Sequence, residues 1–120
     1  MTLFEAWEKA KPYFEKAIEE VKGTHSIDDV CLMVGNGQMK LWVWDKSAAL
    51  TEFVNFPRMK VMSCFLVGGD LEELRAKEVE HLIPFAKANG CSRIMGAGRP
   101  GWERVRSDWT RGGVYMHKDI

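Results

Sequence analysis

Apolar residues recur every three or four positions up to about residue 34, which is the spacing of helices with one buried face. Thr2 with Glu5, and Ser26 with Asp29, have the spacing of capping boxes, in which a hydroxyl and a carboxylate satisfy the free N–H groups of a helix start. Pro12 has no N–H to donate, so we expect it either to kink the first helix or to begin another. The pattern predicts an N-terminal helical region.

The period changes to two from residue 38 onward, which is typical of strands. Three successive segments, Gln38–Trp44, Ala49–Phe56 and Val61–Val67, are separated by short turns. The third is apolar on both faces, so we expect it to lie centrally in a sheet.

Helical spacing returns after the third strand. Asp70 is placed to cap the longest helix, which continues to Gly90 and is interrupted by Pro84. A short strand, a helix and a last strand follow, over Ser92–Met95, Pro100–Trp109 and Val114–Lys118.

The element order is therefore α-α-β-β-β-α-β-α-β. Three strands joined by tight turns and a later helical crossover predict a mixed, mainly antiparallel sheet with helices on both faces. We expect residues 1–120 to form one domain of the α/β (α+β) class, because a chain of this length leaves little room for a second.

Charge and composition narrow the functional classes. Seventeen basic and seventeen acidic residues give no net charge, which argues against a general nucleic-acid binder. No apolar run approaches the ~18 residues of a membrane span, and the N-terminus lacks the plan of a signal peptide. The three cysteines are widely spaced, so we expect free buried thiols and synthesis in a reducing cytoplasm.

Two segments are the most specific in the chain: Phe65–Leu74, which reads FLVGGDLEEL, and Gly98–Val105, which reads GRPGWERV. They resemble segments of small GNAT-like proteins encoded by tailed bacteriophages. The element order is likewise similar to the GNAT superfamily of N-acetyltransferases. The resemblance implies a GNAT-like fold, and in an active member it implies acetyl-CoA phosphates held by the loop at Gly68 and Gly69.

The chain departs from the family pattern at that loop. The loop at Gly68 and Gly69 is shorter than the family's loop and lacks the expected arginine. Asp70, Glu72 and Glu73 occupy the first turn of the helix that follows it. These carboxylates cap the helix themselves and repel a phosphate. The helix after the fourth strand also lacks the tyrosine that protonates the departing thiolate in many members. Glu52 is the one candidate general base, and a solvated strand carboxylate is its alternative interpretation.

Aromatic and basic residues offer a second kind of site. Trp42 and Trp44 share one face of the first strand, so they either pack inside the fold or meet a partner. Arg99, Trp102 and Arg104 lie at the Gly-rich turn after the fourth strand, where they either support that turn or bind an anion or an acidic partner surface.

No metal site is predicted, because Glu78 and His81 lack further ligands and the other histidines are far apart. We therefore expect a catalytically silent GNAT-like bacteriophage protein, a structural or assembly component of the virion without a cofactor. Its expected partners are other phage structural proteins or further copies of itself, met in the host cytoplasm and not at a membrane. The alternative is a CoA-dependent N-acyltransferase with a divergent phosphate loop.

Overall fold

The structure is a computed structural model, and it describes residues 1–97 and 106–120. Helix α1 (Leu3–Ala17) begins at the predicted capping box, where the Thr2 hydroxyl accepts a hydrogen bond of 3.1 Å from the Glu5 N–H. α1 continues through Pro12, so the alternative that this proline begins a new helix is wrong. Burial along one continuous face outweighs the missing hydrogen bond. That face consists of Trp7, Ala10 and Phe14.

A 3₁₀ turn (Ile18–Val21) follows α1 and ends at Lys22, whose φ of 53° lies in the left-handed region. Helix α2 (Ile27–Gly35) begins at the second predicted capping box, in which Ser26 and Asp29 exchange hydrogen bonds of 3.1 and 2.9 Å. Both capping boxes are confirmed.

Four strands form one sheet in the order β1-β2-β3-β4. They are β1 (Lys40–Val43), β2 (Ser47–Asn55), β3 (Lys60–Gly69) and β4 (Arg93–Gly96). β2 pairs antiparallel with β1 and with β3, whereas β3 and β4 run parallel. The predicted fold class, α/β (α+β) with a mixed and mainly antiparallel sheet, is confirmed.

Helices cover both faces of the sheet, as predicted. On one face, α1 and α2 pack with Leu50 and Leu66, and a bulge opposite Leu50 turns Phe65 to the same side. On the other face, the helical segment after β3 packs with Met62 and Cys64. β3 therefore lies between two apolar layers, which explains its apolar residues on both sides.

The long helix after β3 forms at the predicted place, but it is not one regular helix. It consists of α3 (Leu71–Lys77), a π-turn (Glu78–Leu82) and α4 (Ile83–Ala88). In the π-turn, the Ile83 N–H donates to the Glu78 carbonyl five residues earlier. Pro84 supplies the reason, because in a regular α-helix its ring would clash with the carbonyl four residues back. The wider turn relieves that clash.

The predicted last strand, Val114–Lys118, does not form. Residues 110–120 have no regular secondary structure and are exposed. A segment with a strand pattern gains ladder hydrogen bonds only beside a strand edge, and none of the described strands pairs with it. The predicted helix Pro100–Trp109 falls largely on residues 98–105, outside the described residues, and residues 107–109 form a turn and a bend.

Candidate functional site

The junction between β3 and α3 holds the two glycines that the resemblance assigns to a coenzyme. Both are required by packing. A Cβ at Gly68 would lie 2.9 Å from the Cβ of Tyr13 on α1. A Cβ at Gly69 would lie 2.3 Å from the Lys46 carbonyl oxygen, and the φ of Gly69 is +111°. The absence of side chains here lets α1 and the β1–β2 turn approach the end of β3.

The carboxylates of the junction bind groups of their own chain. Asp70 accepts a hydrogen bond of 2.9 Å from the Glu73 N–H, which caps α3. Glu73 accepts from the Lys46 N–H at 2.8 Å and from the Ser47 hydroxyl. The hydrogen bond from Ser47 is the main reason that the pKa of the Glu73 carboxyl is lowered, and the Lys46 N–H acts in the same direction. Together they tie the start of α3 to the turn between β1 and β2.

A groove of about 330 Å³ opens beside this junction, between α1 and the end of β3. β4 pairs with β3 only from Val61 to Cys64, so among the described strands none pairs with this side of Phe65–Gly69. The groove is lined by Tyr13, Lys16, Ala17, Glu20, Ala97 and the β3 residues 65–69. It combines apolar and charged walls with a stretch of β3 that the described strands pair on one side only.

Glu52, the candidate general base, lies elsewhere on the sheet. It pairs with Ser63 on β3, which is five residues, or about 16 Å along the strand, from Gly68. Glu52 is half-buried and lines a small recess of about 70 Å³ with Lys40 and Phe53. The structure does not bring Glu52 together with Gly68 and Gly69 into one site.

Trp42 and Trp44 lie under the helical segment after β3, and both are half-buried. The Trp42 ring meets Phe85 edge-on at 5.2 Å, and its indole N–H donates to the Thr51 hydroxyl at 2.9 Å. The Trp44 ring stacks on His81 at 6.3 Å. Part of each ring remains accessible, so their role in an interface stays a prediction.

The aromatic array continues toward the outer part of β2. Phe53 stacks on Phe85 at 5.8 Å and is 38% exposed. The Lys40 ammonium lies 4.9 Å from the centre of the Trp42 ring, and the Lys60 ammonium lies 4.4 Å from that of Phe53. Two lysines therefore occupy the ring faces by cation–π contacts from within the chain.

A buried ion pair was missed by the sequence analysis, which considered Glu78 only as a partial metal motif with His81. Glu78 pairs with Arg106 and also accepts from the Trp109 indole N–H at 3.1 Å. Leu74, Glu78 and Leu82 are four residues apart and all buried, so the apolar neighbours on the same helix face were the available signal. The pair fixes the segment after residue 105 against the π-turn.

The cysteines divide into two environments. Cys64 and Cys91 are buried, as expected, but Cys31 on α2 is exposed, so the expectation of three buried thiols is wrong for that residue. Its position faces away from the helix face that carries Val30 and Val34. Burial raises the pKa of the Cys64 thiol to about 12, and Glu78 adds to the rise.

Three predicted interaction residues, Arg99, Trp102 and Arg104, lie in the range 98–105, outside the described residues. Elsewhere in the chain, no group of three or more His, Cys, Asp or Glu side chains is arranged to hold a metal ion. No helix within residues 1–97 and 106–120 has both the length and the apolar character required to cross a membrane.

The chain was compared with known families and proteins. No family model matches it, and no curated protein matches it either. Among solved structures it is similar to the tetramutant of the BH1408 protein from Bacillus halodurans, with 13% identity and a TM-score of 0.66 over 100% of this chain and 97% of that one. Another mutant of the same protein has 11% identity and a TM-score of 0.63, over 97% and 94%. At these identities the likeness shows a shared fold.

Proposed function

We propose that this chain is a catalytically silent GNAT-like protein of a tailed bacteriophage, acting by protein–protein contact as a structural or assembly component of the virion. The phage assignment rests on the resemblance of the segments Phe65–Leu74 and Gly98–Val105. The catalytic silence rests on one observation: the residues where a coenzyme phosphate loop is expected are committed to contacts within the chain.

The physical chemistry of that junction supports the proposal. Gly68 and Gly69 accommodate Tyr13 and Lys46, so they are explained without a ligand. Asp70, Glu72 and Glu73 place like charge in the first turn of α3. A pyrophosphate bound there would meet three carboxylates at close range.

Exposed apolar side chains supply contact area for a partner. Leu32 on α2 is 70% exposed and Val79 on the π-turn is 66% exposed. Large exposed apolar residues of this kind lie on several elements. The others include Phe4, Phe56, Val114, Tyr115 and Met116.

Titration calorimetry with acetyl-CoA tests the catalytic silence. We expect no binding heat in the micromolar range, and micromolar affinity would contradict the proposal. A known acyltransferase run under the same conditions serves as the positive control.

Mass spectrometry of purified phage particles tests the virion role. Absence of the protein from the particles would contradict that role.

A second candidate function is favoured by the groove beside β3. Its volume of about 330 Å³, together with backbone groups of Phe65–Gly69 that no described strand pairs on that side, suits an elongated amide-containing ligand such as the pantetheine arm of coenzyme A. In this alternative the chain is an N-acyltransferase and Glu52 is the base that deprotonates the substrate amine.

The alternative predicts that the melting temperature rises by several degrees with saturating acetyl-CoA. Glu52→Gln should then abolish acyl transfer to an amine and leave the thermal shift unchanged, since the groove is lined by other residues. An unchanged melting temperature at millimolar coenzyme would leave this function without support.

A further inference from the structure

The outer half of β2 forms a strand edge on the β1 side. β1 begins at Lys40, opposite Thr51, so residues 52–55 pair with β3 but with no described strand on their other side. The residues that lead into β1 and border this side, 36–40, are all described. β4, with residue 97 after it, lies at the opposite edge of the sheet. The edge at 52–55 is therefore defined by described residues on every side.

Two residues of this edge direct their backbone groups outward. The Phe56 N–H donates to the Met59 carbonyl at 2.9 Å, and in an antiparallel ladder such bonded pairs alternate with pairs that are not bonded. The even-numbered residues of the edge therefore bond to β3, whereas Phe53 and Asn55 present their N–H and C=O groups on the other side. Both residues are exposed. Backbone groups of this kind are a template for an added strand, so they match an extended peptide.

A recess of about 70 Å³ lies at the inner end of this edge. The rings of Phe53 and Phe85, which stack at 5.8 Å, give it an apolar wall. Its volume is roughly half of the ~150 Å³ that holds benzene, so it suits a small aliphatic side chain and excludes an aromatic ring. Gly37 and Gln38, which lead into β1, line the same recess, so a strand added along β2 has to end there.

The Lys40 ammonium lies where such a strand would end. It is 4.9 Å from the centre of the Trp42 ring and 5.2 Å from that of Phe85, and Lys40 lines the recess. No carboxylate in the described part of the chain forms an ion pair with it. Glu52 also borders the recess, but alternation along β2 turns its side chain to the opposite face from Phe53. This end of the recess therefore favours an anion.

We propose that this edge binds the C-terminal end of a partner protein. The peptide pairs with Phe53 and Asn55 as an added strand, places a small aliphatic last side chain in the recess and turns its carboxylate toward Lys40. It runs antiparallel to β2, because its C-terminal end lies at the end of the edge where β1 begins. The free backbone groups select a peptide, the recess selects its last side chain, and Lys40 selects the free carboxylate. This inference rests on the proposed contact function and names the chemistry of the partner.

Selection from a library of random hexapeptides with free C-termini tests the proposal. We expect enrichment of valine, alanine or another small aliphatic residue at the last position. If no peptide is selected, or if the last position shows no preference, the proposal is wrong.

The tightest selected peptide is then compared with its C-terminal amide by fluorescence anisotropy. We expect the amide to bind about tenfold more weakly, because it loses a charge-assisted contact. Lys40→Gln should remove the difference between acid and amide. Lys60→Gln is the matched control and should retain it, because Lys60 also lies over the Phe53 ring, at 4.4 Å, but does not line the recess. A difference that survives Lys40→Gln overturns the proposal.

Amide resonances locate the bound peptide without any variant. Titration with the selected peptide should shift the N–H signals of Phe53 and Asn55 in an NMR spectrum of the labelled chain, and shifts confined to other elements overturn the proposal. So does a labelled oligonucleotide that displaces the peptide from the unmodified chain but does not bind Lys40→Gln, because the site would then recognise a polyanion. Peptide binding is measured without phage particles or acetyl-CoA, so this inference and the proposed function can fail separately.

Discussion

The Glu73 carboxylate accepts a hydrogen bond of 2.8 Å from the backbone N–H of Lys46, twenty-seven residues earlier in the chain. Through it the first turn of α3 is fixed to the turn between β1 and β2. The neighbouring contact runs the other way: the Asp70 N–H donates to the Lys46 carbonyl at 2.9 Å. One peptide segment at Lys46 therefore satisfies both a carboxylate and an N–H group at the helix start.

Gly69→Ala should be among the most destabilising small substitutions in the chain. Its φ of +111° is unfavourable for alanine, and the added Cβ would lie 2.3 Å from the Lys46 carbonyl oxygen. We expect a loss of about 3 kcal/mol or more in the free energy of unfolding, measured by urea denaturation. Gly90→Ala is the control that separates backbone strain from a steric clash. Gly90 has a φ of +79°, but an added Cβ would have nothing within 4 Å. That control should lose only about 1 kcal/mol, and equal losses would refute the collision.

The fall in melting temperature at low pH should depend on Glu73. The hydrogen bond from Ser47, and then that from Lys46, lowers the pKa of this carboxyl from its ordinary value of 4.5. Because the folded-state pKa is the lower one, the stabilisation is complete above about pH 4.5 and is lost as the pH falls through the folded-state pKa. Glu73→Gln should therefore flatten the fall in melting temperature below pH 4.5.

Asp29 also contributes to the loss of stability at low pH, so Glu73→Gln is expected to remove only part of that loss. The pKa of Asp29 is lowered by the backbone hydrogen bond from Ser26 and by the Ser26 hydroxyl, so its contribution to stability has the same sign and remains in the Glu73→Gln variant. Glu72→Gln is the matched control, since Glu72 is exposed on the same turn of α3. If Glu73→Gln and the unmodified chain lost melting temperature in parallel below pH 4.5, the role of Glu73 would be excluded.

Capping patterns in the sequence predicted where α1, α2 and α3 begin better than they predicted how those helices continue. The Thr2–Glu5 and Ser26–Asp29 boxes form because they need only residues three apart. The course of α1 through Pro12 depends on burial against a sheet formed much later in the chain. Such tertiary contacts are absent from any local window, and they override propensity.

Contacts between residues far apart in the sequence also limited what could be predicted about the candidate site. Sequence reasoning identified Gly68 and Gly69 as special but could not foresee that Tyr13 and Lys46 are the neighbours requiring them. Val114–Lys118 has a strand pattern, yet a strand needs a partner edge, and pattern alone does not supply one.

Glu78→Gln should destabilise the fold strongly. The side chains of Glu78 and Arg106 are only 8% and 10% exposed, so removing one charge leaves the other buried without its partner. We expect a loss of about 3–5 kcal/mol in urea denaturation. Glu80→Gln removes a carboxylate two residues away that is 55% exposed and pairs with Lys77 at 3.2 Å, and it should change stability by about 1 kcal/mol or less.

A double variant distinguishes a buried charge from a loss of packing. Replacing both Glu78 and Arg106 by leucine leaves no uncompensated charge, so it should recover much of the stability lost in Glu78→Gln. A double variant that is less stable than Glu78→Gln would show that shape and the Trp109 hydrogen bond dominate at this position.

Thiol reactivity should follow burial in the native protein. Cys31 is exposed, whereas Cys64 and Cys91 are buried and the pKa of Cys64 is raised to about 12. Because the thiolate is the reactive form, a colorimetric disulfide reagent at pH 8 should modify one thiol quickly and the other two only as the chain unfolds. Cys31→Ser should abolish the fast phase and leave the slow one. A fast phase that persisted in this variant would mean that β3 or the segment before β4 opens readily in the native state, contrary to the buried positions of both residues.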